Sequence, residues 1–498
     1  MKLLVTTALE ETWGIREDIV FLGEWCKLYD RKDKWKARNY EVLPYHWDDR
    51  KKLYEDYDYL GSLYEKILKE LSAKLNKLHH VNYSENYWRI SVGIWLGYFI
   101  QISYQRWVSI SNASKSAESL ESIILDQKGQ TVVPLDMSEF VGFFTGDMWN
   151  HYIFSSIIRF QNKIKYQILG RQKRSNTQPF VVAQNKSIKK TVMKLLFYLI
   201  KKVNNFFLYG FSKNNKYFFI QTYLSVFDEM RLNIRFGQLP LILHSPKISE
   251  ITLDSRKRDW SFEYGGNDEF ERFIKFMIPQ QIPKVYIEGY EKLNSHSQTV
   301  NWPKSPKIIF TANSHIYDDF TKFWIAGKVE AGASLVIGQH GGGPLHKLNF
   351  QVDHEFAICH QYLVPGINQI NINKKQVAVG QFFKRKWEPS KNGRGLMIEL
   401  TTPRYSFALA SLVQSDDFLY YLKDQQRFVG NLPEKIRKEF TIRLSPTDYD
   451  WSANSRWVDS FPEIKLDHGS QSIYRIFKNS KVIVCTYAGT TYNQTLAA

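Results

Sequence analysis

Three short segments in the second half of the chain combine residue types suited to holding an anion. Gly338-Gln-His-Gly-Gly-Gly-Pro344 follows a run of apolar, strand-forming residues. Consecutive glycines let a backbone approach a ligand closely and adopt left-handed angles, so the amides of Gly341, Gly342 and Gly343 can turn toward a phosphate. His340 beside them adds a hydrogen-bond donor or a proton acceptor. Tyr487-Ala-Gly-Thr-Thr-Tyr492 lies just past another apolar run and opens a helix. There Gly489 frees the backbone, while Thr490 and Thr491 offer hydroxyls, a cap and amides. In Arg443-Leu-Ser-Pro-Thr-Asp-Tyr449 the guanidinium can grip a phosphate through two parallel hydrogen bonds, and Pro446 fixes the turn. Each segment alone also fits an ordinary strand-to-loop turn. Three such turns in one region make a nucleotide site the economical reading.

The first half offers carboxylates and imidazoles instead. Glu10 and Glu11 stand in TTALEETWG, Glu24 in FLGEWC, and His46, Asp48, Asp49 and Arg50 in YHWDDR; MSEFVGFFTGDMWNH brings Asp147 and His151. A surface carboxylate is more often solvated than catalytic. Glu10 and Glu11 stand out because a first strand delivers its loop to the cleft of an α/β sheet, and they are the expected base or nucleophile. The sequence has no zinc-ligand spacing, no GxGxxG, no P-loop and no GxSxG elbow. Cys26, Cys359 and Cys485 are too far apart for a thiolate metal site or a disulfide framework and fit a reducing compartment.

Turns of this kind must be carried at the carboxyl ends of parallel strands. After residue 307, KIIFTA (307–312), SLVIGQ (334–339), KKQVAVG (374–380), GLMIEL (395–400), EFTIRL (439–444) and KVIVCT (481–486) read as strands. Helices are expected between them over 317–330, 415–429 and 470–478, the alternation of a parallel α/β sheet. The first 300 residues read as a largely helical domain with insertions. LLVTT is a strand, 56–78 a polar helix, and 85–107 a helix with Trp88, Val92, Trp95, Phe99 and Ile102 in an apolar stripe. NWPKSPK (301–307) reads as a hinge. The expected organisation is an N-terminal, acceptor-side domain over 1–300 and a C-terminal nucleotide-binding α/β domain over 307–498; 498 residues exceed one ordinary core.

The formal charge is +17, and its placement is uneven. Residues 148–227 form a basic, acid-free insertion with fourteen Lys and Arg and no Asp or Glu. Within it, 188–211 alternates KK pairs with apolar residues at helical spacing, as a helix lying on an anionic membrane surface would. A solvated core helix and a polyanion-binding helix are the alternatives; no nucleic-acid module is recognisable, and no nucleic-acid partner is expected. The membrane contact is assigned to 186–216. The longest near-apolar run, 90–100, falls short of the roughly 20 residues a spanning helix needs, and the N-terminal apolar stretch is too short for a signal-peptide core. A cytoplasmic protein, peripheral on the inner face of the cytoplasmic membrane, is the expectation.

Several segments together resemble transferases encoded in surface-polysaccharide and O-antigen loci. They are TTALEETW (6–13), FLGEWC (21–26), YHWDDR (45–50), YWRISVGIWLGYFIQISYQRW (87–107), GQHGGGP (338–344), RLSPTDYDW (443–451) and TYAGTTYNQTLA (486–497). More distantly, HGGGP and RLSP are similar to the HGTP-type and R-[ML]-H-P-type motifs of CDP-glycerol glycerophosphotransferases and capsule Kdo transferases. The resemblance implies a GT-B fold, two Rossmann-like domains with the donor nucleotide on the C-terminal one. It implies a sugar moved from a nucleotide-activated donor to a surface-polysaccharide or O-antigen acceptor, lipid-linked or a growing glycan. For the sialyl- and Kdo-transferase relatives the donor is a CMP-sugar, and no metal or other cofactor is expected. On this reading the phosphates sit on His340 to Gly343, Gly489 to Thr491 and Arg443, with Glu10 or Glu11 acting on the acceptor. A polyol-phosphate transferase with His340 as base, and a non-catalytic membrane-associated assembly protein, are the alternatives. Ser445 departs from the histidine of the HP motif. The chain also stops at Ala498, one turn into a helix, where a complete GT-B second domain is expected to continue.

Overall fold

The computed structural model describes residues 1–115, 119–126, 132–170, 212–239, 245–341, 348–365, 375–379, 390–469 and 471–496. The strands form three parallel sheets, each drawn from one contiguous stretch of chain. The first contains β1 (Lys2–Val5), β2 (Asp18–Phe21), β3 (Asn39–Val42), β4 (Leu120–Leu125) and β5 (Lys165–Leu169), in the order β3-β2-β1-β4-β5. Leu3 pairs with Ile19 on one side and Glu121 on the other, so the strand order reverses between β1 and β4 as in a Rossmann sheet. Leu3, Leu4, Val5, Ile19, Val20 and Phe21 are all buried, as expected of strands covered on both faces.

The first half is therefore an α/β unit in which helical residues far outnumber strand residues. Its strands were hard to see because they are only four to six residues long and carry polar residues such as Asp18, Glu41 and Glu121.

The second sheet runs in plain sequence order: β6 (Tyr217–Ile220), β7 (Ile308–Thr311), β8 (Ser334–Gly338), β9 (Gln361–Val364) and β10 (Gln376–Ala378). β6 belongs to it although it precedes 301–307. That segment is tied alongside β6 by hydrogen bonds from Lys304 N to Lys213 O at 3.0 Å and from Lys307 N to Lys216 O at 2.7 Å. It leads into a strand of the same sheet, which differs from the hinge the sequence suggests. The third sheet contains β11 (Arg394–Ile398), β12 (Thr441–Arg443), β13 (Lys465–Asp467) and β14 (Ser480–Cys485), in the order β13-β12-β11-β14. Residues 307–498 thus contribute to two sheets.

Two long helices organise the core. Arg50–His79 is capped by Asp49, whose carboxylate accepts from Lys51 N and Lys52 N. The chain then re-enters helix at Glu85, widens into a π turn over Arg89–Gly93 and continues as Ile94–Ala113. Trp88, Val92, Trp95, Phe99 and Ile102 are fully buried along it. One apolar cluster runs from β1 and β2 through these helices to β7 and β8, so the first two sheets share a core. The third sheet has smaller clusters of its own around Met397 with Trp457 and around Leu396 with Phe477. Among the described residues no helix is long and apolar enough to cross a membrane. The basic helix expected over 188–211, and most of 186–216, lie outside the described residues.

Candidate active site

β8 ends at Gly338 and hands the chain to Gln339, His340 and Gly341. β11 ends at Ile398 and β14 at Cys485, and these are the two strands between which the order of the third sheet reverses. Ligands of open α/β sheets bind in the crevice at such a reversal. The residues leaving these carboxyl ends surround a cavity of about 490 Å³, with His340, Gly341, Thr401, Tyr487, Gly489 and Thr490 in its wall. Helices of the first half close the opposite side through Tyr98 and Phe144, and Asn349 and Gln351 reach it from the start of the helix Phe350–Ile358. A second cavity, of about 250 Å³, shares Leu400, Thr401 and Tyr487 with the first and is lined further by Glu399, Arg443, Ser445 and Thr491.

Local conformation brings the two turns together. Gly341 has φ 66°, a left-handed angle that favours glycine, and a Cβ there would lie 3.2 Å from Thr490 Oγ1. Asn493 Nδ2 donates to Gly341 O at 3.4 Å, so the turns after β8 and β14 touch directly. At Gly489 a Cβ would fall 2.3 Å from the Tyr487 ring, which explains why that position carries no side chain. Tyr449, in the cavity wall, and Tyr223, stacked on His340 with ring centroids 5.7 Å apart, both adopt left-handed backbone angles, φ 52° and 60°. Bulky residues seldom tolerate such angles, and those that do cluster at binding and catalytic sites.

The electrostatics differ between the two cavities. Burial pulls the His340 imidazole below its ordinary pKa, against weaker opposing effects of Glu355 and a hydrogen bond to the Ala312 backbone. The ring is therefore neutral at neutral pH and free to accept a proton. Arg443 in the smaller cavity is partly engaged: its Nη1 donates to Asp467 Oδ2 at 2.5 Å and to Gln471 O at 3.2 Å. Among the described residues its Nε–Nη2 edge makes no hydrogen bond and is left for a ligand. Glu399 accepts from Trp457 Nε1 at 2.5 Å, and burial, aided by the nearby Asp448, raises its carboxyl to about 7. Behind Gln351, Glu355 accepts from His315 Nε2 at 3.0 Å, Gln351 Nε2 at 2.9 Å and Tyr362 OH at 2.7 Å. Burial works to raise the Glu355 carboxyl, but these hydrogen bonds outweigh it and hold it below its ordinary value.

Of the residues singled out from sequence, His340, Gly341, Gly489 and Thr490 meet around the larger cavity, and Arg443 and Thr491 line the smaller. Gly342 and Gly343 lie outside the described residues. Glu10 and Glu11 form the short 3-10 turn after β1 and line neither cavity; Arg31 grips Glu10 through Nε and Nη2 at 2.8 and 2.7 Å. Glu24 pairs with Lys27, Arg50 with Asp417, and Asp49 caps a helix. Asp147 has a joining role. It accepts from Ala8 N at 3.1 Å, from Arg404 Nη2 at 2.7 Å and from the Tyr405 hydroxyl. Glu399 was missed. Its signal was available, a carboxylate directly after the apolar run GLMI at a strand's carboxyl end.

Among the described residues no three His, Cys, Asp or Glu side chains are grouped so as to hold a metal ion. No curated protein and no solved structure matches the chain. The family model described as LIC12162 family transferase matches residues 2–498. An α/β chain with facing turns at the carboxyl ends of its strands, matched over nearly its full length, belongs to the LIC12162 family of transferases.

Proposed function

We propose that the chain is a glycosyltransferase that moves a sugar from a nucleotide-activated donor, a CMP-sugar of the Kdo or nonulosonate type, to a surface-polysaccharide or O-antigen acceptor. The observation that carries this reading is the pair of adjoining cavities at the strand-order reversal between β11 and β14, faced by the His340–Gly341 turn. The larger, at about 490 Å³, falls within the roughly 300–1,000 Å³ of small-molecule sites. Its aromatic wall, with Tyr98, Phe144 and Phe407, suits the apolar faces of a base or a sugar. Backbone amides of the Gly341 and Gly489 turns, with the open edge of Arg443, would take the phosphate and stabilise the charge of the departing nucleotide. His340, uncharged through burial, is the expected catalytic residue at this cavity and would accept the proton of the attacking hydroxyl. The reading needs no metal.

A lipid-linked or growing glycan acceptor would hold the enzyme at the inner face of the cytoplasmic membrane, with 186–216 as the contact. A GT-B arrangement agrees with the larger cavity, which is lined from the loops of the second and third sheets.

Calorimetric titration of the full chain with CMP, CDP and UDP tests the donor. CMP binding that persists in EDTA is expected. Preference for CDP would move the assignment to a polyol-phosphate transferase, and no binding by any of the three would sink the donor-site reading in favour of a non-catalytic assembly protein.

A further inference from the structure

A groove of about 390 Å³, sharing no lining residue with the two cavities, lies between the segment 258–265 and the outer face of the helix Glu269–Gln281. Arg272, Phe276 and Gln280 line it from the helix at four-residue steps, which places them on one face. Trp260, Phe262 and Tyr264 line it from the loop. Tyr264 and Phe276 are 71% and 55% exposed, a large aromatic surface to leave in water.

The loop is pinned at both ends by buried cations. Arg258 Nη1 donates to Pro279 O at 3.1 Å and Ile282 O at 2.8 Å, while its Nε and Nη2 hold Glu288 at 2.6 and 2.7 Å. Lys275 Nζ donates to Tyr264 O at 3.1 Å and is neutralised by Glu70 and Glu271 at 2.8 and 2.9 Å. Gly266, with φ 116°, lets the loop close over the helix start, where a Cβ would lie 2.9 Å from Arg272 N. The aromatic faces are thus presented on a rigid frame, so little freedom is lost when something docks on them.

Among the described residues, two polar groups in this frame lack hydrogen-bond partners. Trp260 Nε1 is a buried donor without an acceptor. The exposed Arg272 guanidinium makes no side-chain hydrogen bond or ion pair among the described residues. The rest of the polar lining comes from Asp259, Ser261 and Gln280, groups that exchange hydrogen bonds with hydroxyls. Flat aromatic platforms edged by hydroxyl-binding groups suit a ring with apolar C–H faces and a hydroxylated rim. A free guanidinium suits a carboxylate or phosphate on that ring, gripped by two parallel bonds. The concave shape argues against a bilayer, which meets a protein on a protruding surface.

We propose that this groove binds an acidic oligosaccharide, its sugar rings resting on Tyr264, Phe276 and Trp260 and its acid group on Arg272. It is a glycan-holding site separate from the donor cavity.

Microscale thermophoresis on the full chain, with trigalacturonate, a phosphorylated trisaccharide and maltotriose as probes, provides the test. At least one acidic probe should bind about tenfold more tightly than maltotriose, the expected effect of one charge-assisted bidentate contact. The better acidic probe identifies the acid group. Arg272→Gln should remove the preference, and Tyr264→Ala with Phe276→Ala should weaken every probe. Unfolding temperature and CMP binding serve as controls and should not change. Failure of both acidic probes to bind overturns the proposal, as does binding indifferent to these substitutions. So does adsorption to phosphatidylglycerol vesicles that the aromatic double variant abolishes. Absence of CMP binding by the unaltered chain would count against the donor site and leave the groove standing.

Discussion

Tyr487 belongs to the walls of both cavities, and Gly489 is the residue that makes room for its ring. Gly489→Val should push the ring into the shared wall and weaken CMP binding by about tenfold or more, the scale of a lost shape match in a small site. Thermal unfolding should hardly move, because Tyr487 and Gly489 are both partly exposed; intact binding would detach this turn from the ligand. His340→Ala should lower turnover by roughly 10², a typical loss for a general base. The pH profile adds a check on His340. A base acts when unprotonated, and burial has lowered its pKa, so the acidic limb of kcat should lie below the ordinary histidine range. A limb above that range would point to another group.

Helix contact at Gly97 decides the shape of the larger cavity from a distance. A Cβ on Gly97 would sit 1.7 Å from Phe350 Cζ, so the helices Ile94–Ala113 and Phe350–Ile358 approach at a point where no side chain fits. Gly97→Val should cost about 1–3 kcal/mol in denaturant unfolding, the usual penalty for overpacking. It should also weaken CMP binding, since Asn349 and Gln351 ride on the displaced helix; a full-strength site in a destabilised protein would separate the two. Elements of this kind differ in how plainly they show in sequence. β7, β8, β11 and β14 are unbroken apolar runs followed by glycine, threonine or histidine turns, and they could be read directly together with the site residues they deliver. β2, β3 and β5 could not, because DIVF, NYEV and KYQIL are too short and too polar for their pattern to stand out from a loop. The Asp147–Arg404 ion pair was invisible for a different reason: 257 residues separate its partners, and no local pattern encodes such a pairing.

At the scale of the molecule, the segment after β11 ties the third sheet to the first. Asp416 accepts from Glu24 N with both carboxylate oxygens at 3.0 Å, and burial raises its carboxyl to about 7 despite that bond. A carboxyl that holds its proton more tightly when folded stabilises the protein at low pH. That contribution is full below the unfolded value of about 3.9 and is lost as pH rises through about 7. The unfolding temperature of the native protein should therefore decline between pH 5 and 8 more than that of Asp416→Asn, and parallel curves would refute the assignment. The charge of the whole chain, +17, with 148–227 free of acids, sets another expectation. Cosedimentation with anionic vesicles should be strong at low salt, weak with neutral vesicles, and lost at about 1 M salt, where the screening length is about 3 Å. Changing Lys189, Lys190, Lys201 and Lys202 together to Gln should weaken it; equal binding to neutral vesicles would favour a simple solvated segment.

The Arg404 guanidinium, nearly inaccessible to solvent, closes the loops around the first sheet by bonding Asp147 and the carbonyl of Trp25. During synthesis β1 to β5 leave the ribosome together, but their closing residue follows Asp147 by 257 positions. At about 5–20 residues per second that is a wait of roughly 10–50 s. Through that interval Asp147 can hold Ala8 N, but its carboxylate and the Trp25 carbonyl must stay solvated until the late segment brings Arg404.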